Sequence, residues 1–147
     1  MRDEEGLVST EENKKLYREF VAALNRGDID GAGAFFADDY VEHSAPPGLP
    51  PGAEGVKIVF RMFRTAFPDV EFRIDDLVAE GDRVATLVTG QGTHNGPFMG
   101  VEATGRHAQW VAFGINRYEN GKIKEHWGLP DIMGINRQLA PEPQKVP

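Results

Sequence analysis

Hydrophobic residues near the start of the chain recur at helical spacing. The apolar stripe consists of Leu16, Phe20 and Leu24. This period of four predicts an amphipathic helix. Ser9 followed by Glu12 is a capping box, which predicts that the helix begins there, and Gly27 predicts its end. Such a stripe usually faces a core, but Tyr17 beside it needs a partner for its hydroxyl and could face a ligand.

Two more helices and a proline-rich loop are predicted before residue 68. A short helix, capped by Asp28, is expected through residue 36, and residues 40–43 have the pattern of a short strand. Residues 44–52 contain four prolines, which prevent regular pairing, and a rigid loop of this kind often forms the rim of a pocket. A third helix is predicted over about 53–67, because its apolar residues keep helical spacing and Pro68 follows.

From residue 69 the apolar positions change to a period of two. This period predicts a strand over about 69–80, a turn at Glu80-Gly81-Asp82 and a further strand over about 83–94. A glycine-rich loop over residues 95–105 follows, in which Phe98 is expected to be exposed. A short amphipathic helix is predicted to end at Leu139.

The segment 106–131 predicts a hairpin, because Asn120-Gly121 lies between two apolar runs. Both central residues of a type I′ turn need a positive φ, which Asn and Gly tolerate. A two-residue turn pairs Glu119 with Lys122, and strict alternation then pairs Trp110 with Asp131. One face of the hairpin is predicted to carry Trp110, Ala112, Gly114, Ile123, Trp127, Leu129 and Asp131. The other is predicted to carry His107, Val111, Phe113, Ile115 and His126.

Both predicted faces of this hairpin are largely apolar. One face can cover the core of the domain, and the other must meet something else, such as another subunit. We therefore expect a homodimer or a homotetramer.

Asp131 has two interpretations. Burial beside the two tryptophans would make its carboxyl group a usable acid or base. Alternatively, it caps a helix that starts at Ile132, since Pro-Asp before an apolar run is a good N-cap. The two roles are compatible.

The order of elements predicts the fold class. Helices followed by a meander of strands are typical of an α+β fold, in which N-terminal helices pack on a curved antiparallel or mixed sheet. We expect a single domain over residues 1–147, with an ordered core of about 9–140 and short flexible termini. A curved sheet closed by helices makes a cone, and the mouth of this cone can hold a small hydrophobic molecule.

Composition excludes several classes of protein. A formal net charge of -7 argues against nucleic acid and anionic membrane as partners, because both attract a basic surface. No apolar run approaches the roughly 18 residues needed to span a bilayer, and the N-terminus is not a signal peptide. The absence of cysteine excludes disulfides and thiolate chemistry. We expect a cytoplasmic location.

The four histidines are the remaining candidates for chemistry. They are His43, His94, His107 and His126. Their spacing does not fit a metal site, so no metal is expected. No nucleophile motif is present either. What remains is general acid–base catalysis by carboxylate and imidazole groups in an apolar cavity, without a cofactor.

Five motifs together resemble the SnoaL-like polyketide cyclases, of the ester cyclase type, within the nuclear-transport-factor-2-like superfamily. The motifs are Phe67-Pro68-Asp69, residues 80–84, residues 92–96, Thr104-Gly105-Arg106, and residues 121–127 with Asp131. The resemblance covers residues 11–139. It implies an α+β cone and a small, cofactor-free homo-oligomer. It also implies ring closure of a polyketide ester by an intramolecular aldol reaction.

The resemblance also implies roles for individual residues. Asp131 matches the aspartate that acts as acid and base, and His43, His94 and His126 match substrate-polarising histidines. The residues expected to line the substrate pocket are Tyr17, Phe63, Phe98, Trp110 and Trp127. The alternatives are a non-catalytic domain for ligand binding or association, and another reaction of the fold, such as epoxide hydrolysis or dehydration.

Overall fold

The computed structural model describes residues 9–141. In chain order the elements are α1 (Thr10–Asn25), α2 (Ile29–Gly33), β1 (Phe36–Glu42), α3 (Ala53–Ala66), β2 (Glu71–Glu80), β3 (Arg83–Thr93), β4 (His107–Glu119), β5 (Lys122–Pro130) and α4 (Ile132–Leu139). Apart from Pro141, the predicted flexible termini lie outside the described residues. No helix within residues 9–141 is long and apolar enough to cross a membrane.

The helix starts follow the capping predictions. The Ser9 side chain accepts a hydrogen bond from the Glu12 amide at 3.2 Å, and Asp28 accepts one from the Gly31 amide at 2.9 Å. The predicted extent of the second helix was wrong, because α2 already ends at Gly33. The chain becomes extended at Phe36 because that residue pairs with β5, a distant contact that local spacing does not encode.

The five strands form one mixed sheet in the order β1-β5-β4-β3-β2. The pairs β2–β3, β3–β4 and β4–β5, which are consecutive in the sequence, are antiparallel, while β1 runs parallel to β5. The helices pack on one face, here called the inner face. The predicted α+β architecture with a mixed sheet is therefore confirmed.

Two clusters of buried side chains lie between the helices and the inner face. The larger joins α1, β1 and the ends of β3 and β4 near the Asn120-Gly121 turn, and includes Phe20 and Val84. The smaller lies at the other end of the sheet, where Ile135 and Leu139 of α4 pack against β4 and α3. The inner face therefore has an aromatic core at each end.

The predicted β4–β5 turn is confirmed, but the predicted register is wrong beyond it. Glu119 pairs with Lys122, and Asn120 has a positive φ of 52° as a type I′ turn needs. A bulge then inserts Lys124 into β5, so that every later residue of that strand changes face. Lys124 forms an ion pair with Asp39 of β1.

The bulge moves His126 to the inner face and Leu129 to the outer face. Leu129 now pairs with Phe113, and their residues are 71% and 66% exposed. The predicted second apolar face therefore exists, but Leu129 joins Phe113 on it instead of lying opposite. Val111 and Ile115 extend the same patch.

Candidate active site

A strip of small residues runs along the middle of the inner face. The inward positions of β4 and β5 there are Ala112, Gly114, Gly128 and Pro130. All four are partly exposed, in contrast to the buried aromatic residues on either side. Small side chains at neighbouring inward positions leave the sheet uncovered, so this strip is open to a ligand.

Glu42 and His126 lie side by side at the edge of this strip. They are partners in the parallel β1–β5 pairing, and both side chains point inward. The His126 Nδ1 atom is 2.6 Å from the Glu42 Oε2 atom. The side chains are 27% exposed for His126 and 20% for Glu42. The pair is thus shielded by its neighbours and still accessible.

The Glu42 carboxylate accepts hydrogen bonds from several donors. Tyr40 donates its hydroxyl to Oε2, and the Ser44 amide donates to Oε1 at 3.0 Å. Burial is the largest influence and would raise the pKa of Glu42, but the hydrogen bonds from His126, Tyr40 and Ser44 together hold it below its ordinary value. Glu42 is therefore an anion at neutral pH.

An ionised Glu42 fixes the tautomer of the His126 ring. A carboxylate can only accept hydrogen bonds, so Nδ1 of the neutral ring must carry the proton. Its Nε2 atom then has a free lone pair and has no hydrogen-bond partner among residues 9–141. A carboxylate that orients an imidazole in this way is the arrangement of a general base.

Two glycines leave the space that allows the imidazole to lie close to the sheet. Gly114 and Gly128 face each other across β4 and β5. A Cβ atom at either position would lie 2.8 Å or 2.7 Å, respectively, from His126 Nε2. Only glycine leaves room for the ring there, so both positions shape the site.

Two hydroxyl groups, those of Thr86 and Tyr17, lie beyond His126 on the inner face. The Thr86 Oγ1 atom lies 3.2 Å from the same Cβ position at Gly114, and is therefore a close neighbour of the imidazole. The phenol of Tyr17 approaches Thr86 from α1. Burial raises the pKa of Tyr17 to about 12, although the hydrogen bond with Thr86 offsets part of the rise. Tyr17 thus stays a neutral donor.

Asp131 is exposed and caps α4. Its carboxylate accepts a hydrogen bond from the Gly134 amide at 2.9 Å, which confirms the predicted capping role. The predicted neighbours are absent, because Asp131 meets Val111 across the ladder and not Trp110. Desolvation by the tryptophans, on which its chemical role depended, is not found.

His43 and Trp127 lie together on the outer face. Their rings stack with centroids 4.5 Å apart, and Arg83 lies over the indole at 5.2 Å from its centroid. His43 Nε2 is also 3.1 Å from Glu125 on that face. The bulge in β5 moved Trp127 there, so the structure separates both residues from the inner strip.

His94 is completely buried at the far end of the sheet. Its Nδ1 atom accepts a hydrogen bond from the Thr104 amide at 3.1 Å, and its ring packs against Phe67. Thr86, beside His126, is eight residues earlier in the chain, which corresponds to about 26 Å along an extended strand. His94 and His126 therefore do not share a site.

The aromatic residues Phe63, Phe98 and Trp110 pack on one another in the smaller core cluster. The Phe63 ring stacks on Trp110 and contacts Phe98, with centroids 5.6 Å apart in each case. The expectation that Phe98 is exposed was wrong, because its ring completes this cluster and is fully buried. The three rings form the apolar end of the inner face.

An open groove of about 640 Å³ lies elsewhere, between α2, the start of α3 and the β4–β5 turn. Asp38, Glu54 and Lys122 are among its lining residues, and neither Glu42 nor His126 is. Its charged lining does not suit an apolar ligand. Within the described part of the chain, no cluster of acidic or histidine side chains could hold a metal ion.

Glu42 is the main functional candidate that sequence reasoning missed. In a strand over residues 40–43, alternation puts Glu42 on the same face as Tyr40, so a carboxylate beside a buried phenol was the available signal. Its pairing with His126 was not readable, because it depends on contact between strands 84 residues apart.

The SnoaL-like polyketide cyclase family model matches residues 14–139. The chain belongs to this family. Among its relatives is the aklanonic acid methyl ester cyclase DauD of Streptomyces sp. (strain C5), 30% identical over 90% of this chain and 83% of that protein. The nogalonic acid methyl ester cyclase of Streptomyces nogalater is 27% identical over 82% and 91% of the two chains.

Solved structures show the same SnoaL-like fold. AclR of Streptomyces galilaeus, a proposed hydroxylase, superposes with a TM-score of 0.80 at 35% identity. The match covers 89% of this chain and 97% of AclR. The similarity therefore extends over nearly the whole SnoaL-like domain.

Proposed function

We propose that this protein is a cofactor-independent cyclase that closes a ring in a small hydrophobic carbonyl compound, with His126 as general base and Glu42 as the group that orients it. The observation that supports the proposal is the 2.6 Å contact between His126 Nδ1 and Glu42 beside an open strip of small residues. The cyclases among the relatives are named for the methyl esters of aklanonic acid and nogalonic acid, which supports a carbonyl compound of the ester type as substrate.

The proposed reaction is an intramolecular aldol ring closure. His126 Nε2 takes a proton from a carbon next to a carbonyl group, and the C–H electron pair becomes an enolate. The enolate carbon attacks a second carbonyl carbon, which forms the ring bond and leaves an alkoxide. The alkoxide takes the proton back from Nε2, so the product is an isomer of the substrate.

Charge stabilisation completes this mechanism. The Glu42 carboxylate stabilises the imidazolium that exists between the two proton transfers. Thr86 Oγ1 and His126 Nε2 both border the Cβ position at Gly114, and Tyr17 interacts with Thr86, so these two hydroxyl groups are the candidate donors for the enolate oxygen. A neutral phenol suits this role, because it can donate a hydrogen bond without carrying charge.

The test is ring closure of aklanonic acid methyl ester and nogalonic acid methyl ester by the purified protein. Glu42→Gln and His126→Asn should each slow turnover at least about a hundredfold. Asp131→Asn is the matched control, because Asn keeps the cap, and its rate should stay within about twofold of the unchanged protein. A large loss in Asp131→Asn with normal rates in the other two would contradict the proposal.

The similarity to AclR makes hydroxylation the second candidate reaction. The mass of the product distinguishes the two, since ring closure leaves it unchanged and hydroxylation adds one oxygen atom. Binding without any product would support the third alternative, a non-catalytic ligand-binding domain.

We also propose that a second copy of the chain covers the outer apolar patch, giving a homodimer or homotetramer. Phe113 and Leu129 form its centre, and monomers seldom expose a contiguous patch of this kind. The net charge of -7 supports the exclusion of nucleic acid and membrane as partners. A cytoplasmic location is consistent with a chain that has no cysteine.

A further inference from the structure

Two donors share one oxygen of the Glu42 carboxylate. Oε2 accepts a hydrogen bond from the Tyr40 hydroxyl as well as from His126 Nδ1, which lies 2.6 Å away. A carboxylate oxygen has two lone pairs, so it can accept both bonds at once. The phenol of Tyr40 therefore acts on the same atom that orients the imidazole.

The fold fixes the Tyr40 hydroxyl at this position. Tyr40 and Glu42 alternate along β1 with the exposed Val41, so both side chains point inward. Tyr40 is 4% exposed and its ring packs edge-on against Phe36, with centroids 4.6 Å apart. Burial raises the pKa of Tyr40, and the hydrogen bond to the Glu42 carboxylate raises it further, so the phenol stays neutral and remains a donor.

The other carboxylate oxygen is tied to the strand beneath the imidazole. The Ser44 amide donates to Glu42 Oε1 at 3.0 Å, and the Ser44 hydroxyl accepts a hydrogen bond from the Gly128 amide at 2.9 Å. Gly128 is one of the two glycines that leave space for the His126 ring. With a protein donor on each oxygen, the carboxylate is held in the orientation in which Oε2 faces Nδ1.

A carboxylate so close to an imidazole has two opposing effects on a base. It orients the ring, but its negative charge also favours the protonated form of the imidazole. A general base must be unprotonated before it can remove a proton from carbon. A second, neutral donor on the same oxygen reduces the charge that the oxygen presents to the ring, while it leaves the oxygen in place.

We propose that Tyr40 is a positioning residue that shares Glu42 Oε2 with His126, fixes this oxygen against Nδ1 and weakens its hold on an imidazolium proton. The inference rests on the proposed function for the role of His126 as the base. It adds the residue that keeps this base free to accept a proton. Tyr40 acts on the ring only through Glu42.

The other charged groups around the pair are engaged elsewhere. Hydrogen bonds from His126, Tyr40 and the Ser44 amide are what lower the pKa of Glu42. The titratable side chains on the surrounding elements have other partners: Lys124 of β5 pairs with Asp39, Glu125 pairs with Arg117 and His43 on the outer face, Lys57 of α3 pairs with Asp30 and Glu54, and Tyr17 of α1 is a neutral phenol beside Thr86.

A nitrogen-15 NMR titration of His126 tests the inference without a substrate. In Tyr40→Phe the pH at which the ring is half protonated should rise by about half to one pH unit, because Glu42 Oε2 then presents more negative charge to Nδ1. The substitution keeps the aromatic ring in the core, so the fold should persist. His43, which pairs with Glu125 on the outer face, is the internal reference, and its titration should not change.

Tyr118→Phe is the matched control. Tyr118 is also 4% exposed, but its hydroxyl has no hydrogen-bond partner among the described residues, and its pKa is raised by burial and by Tyr17, not by Glu42. Its removal should leave the His126 titration unchanged. An unchanged or lowered midpoint in Tyr40→Phe, or an equal rise in both variants, would overturn the proposal.

The pH dependence of ring closure separates this inference from the proposed function. With aklanonic acid methyl ester as substrate, the acid limb of the rate–pH profile should move upward in Tyr40→Phe by the same amount as the His126 midpoint. KM and the rate at alkaline pH should stay within about threefold, because His126 is neutral there in both proteins. An equal loss of rate at every pH with an unmoved midpoint, which a structural role predicts, would overturn the proposal. A raised midpoint with an unmoved rate profile would support the effect of Tyr40 on the imidazole and contradict His126 as the base.

Discussion

Substitution of Gly114 by alanine should displace the His126 imidazole without changing any group that takes part in the proposed chemistry. The new methyl carbon would lie 2.8 Å from His126 Nε2, while non-bonded heavy atoms prefer about 3.5 Å. The ring must therefore move by about 0.7 Å. From its present 2.6 Å, the contact between Nδ1 and Glu42 would reach the limit of a hydrogen bond.

The expected cost follows from that one contact. A hydrogen bond to a charged group contributes about 1.5–3 kcal/mol. Removing a glycine from a strand returns about 0.5–1 kcal/mol, because the unfolded chain loses freedom. Gly114→Ala should therefore lower the free energy of unfolding by about 1–2 kcal/mol. Turnover should fall about a hundredfold, because the base is no longer oriented.

Urea unfolding in two backgrounds measures this effect. In a His126→Ala protein the closest contact is gone, and the new methyl carbon meets Thr86 Oγ1 at 3.2 Å and the Trp127 carbonyl oxygen at 3.3 Å. Gly114→Ala should then cost at least about 1 kcal/mol less than it does beside the imidazole. The difference between backgrounds isolates the contact with the imidazole. Gly128→Ala is a poorer choice, because its Cβ would also lie 2.7 Å from the Phe113 carbonyl oxygen. Equal destabilisation in both backgrounds would refute the reasoning and assign the effect to the backbone.

Three further predictions concern stability and assembly. Burial raises the pKa of Tyr17, Tyr40 and Tyr118, which are all the tyrosines of the chain, so the protonated form is favoured in the folded state. Their contribution to the free energy of unfolding is intact below pH 10. Between pH 10 and the Tyr17 pKa of about 12 it is lost at about 4 kcal/mol per pH unit for the three together. Ultraviolet titration should show their ionisation only together with unfolding, and a tyrosine that ionises near pH 10 in the folded protein would contradict this. Phe113→Lys should convert the predicted oligomer into monomers in sedimentation experiments, since a charge cannot be buried in the apolar patch. An unchanged protein that sediments as a monomer would contradict the predicted oligomer. Asp131→Ala should lower the free energy of unfolding by about 1 kcal/mol in urea, whereas Asp131→Asn should leave it nearly unchanged, and equal losses would show that the carboxylate does more than cap.

Features set by neighbouring residues were predictable from the sequence. The Asn120-Gly121 turn and the Asp131 cap depend on contacts within four residues, and the structure has both. The helix-then-strand order also determined the α+β class. These features need no knowledge of which distant segments meet.

The candidate site was only partly predictable, because its faces depend on distant pairing. Local spacing does not signal the bulge at Lys124, and strict alternation without the bulge puts His126 on the wrong face. The partner of His126 was missed for the same reason, since Glu42 reaches it only through the parallel pairing of β1 with β5. His126 was a candidate from the sequence alone, whereas Glu42 became a candidate only once the pairing of the strands was known.

Nitrogen-15 NMR of the histidine ring tests the account most directly, because it needs no substrate. The spectrum of His126, assigned by comparison with His126→Asn, should show a protonated Nδ1 and an unprotonated Nε2 when the ring is neutral. Glu42→Gln should weaken that preference, since an amide can also donate to the ring. A His126 ring that carries its proton on Nε2 would have no free base facing the strip, and would contradict the account.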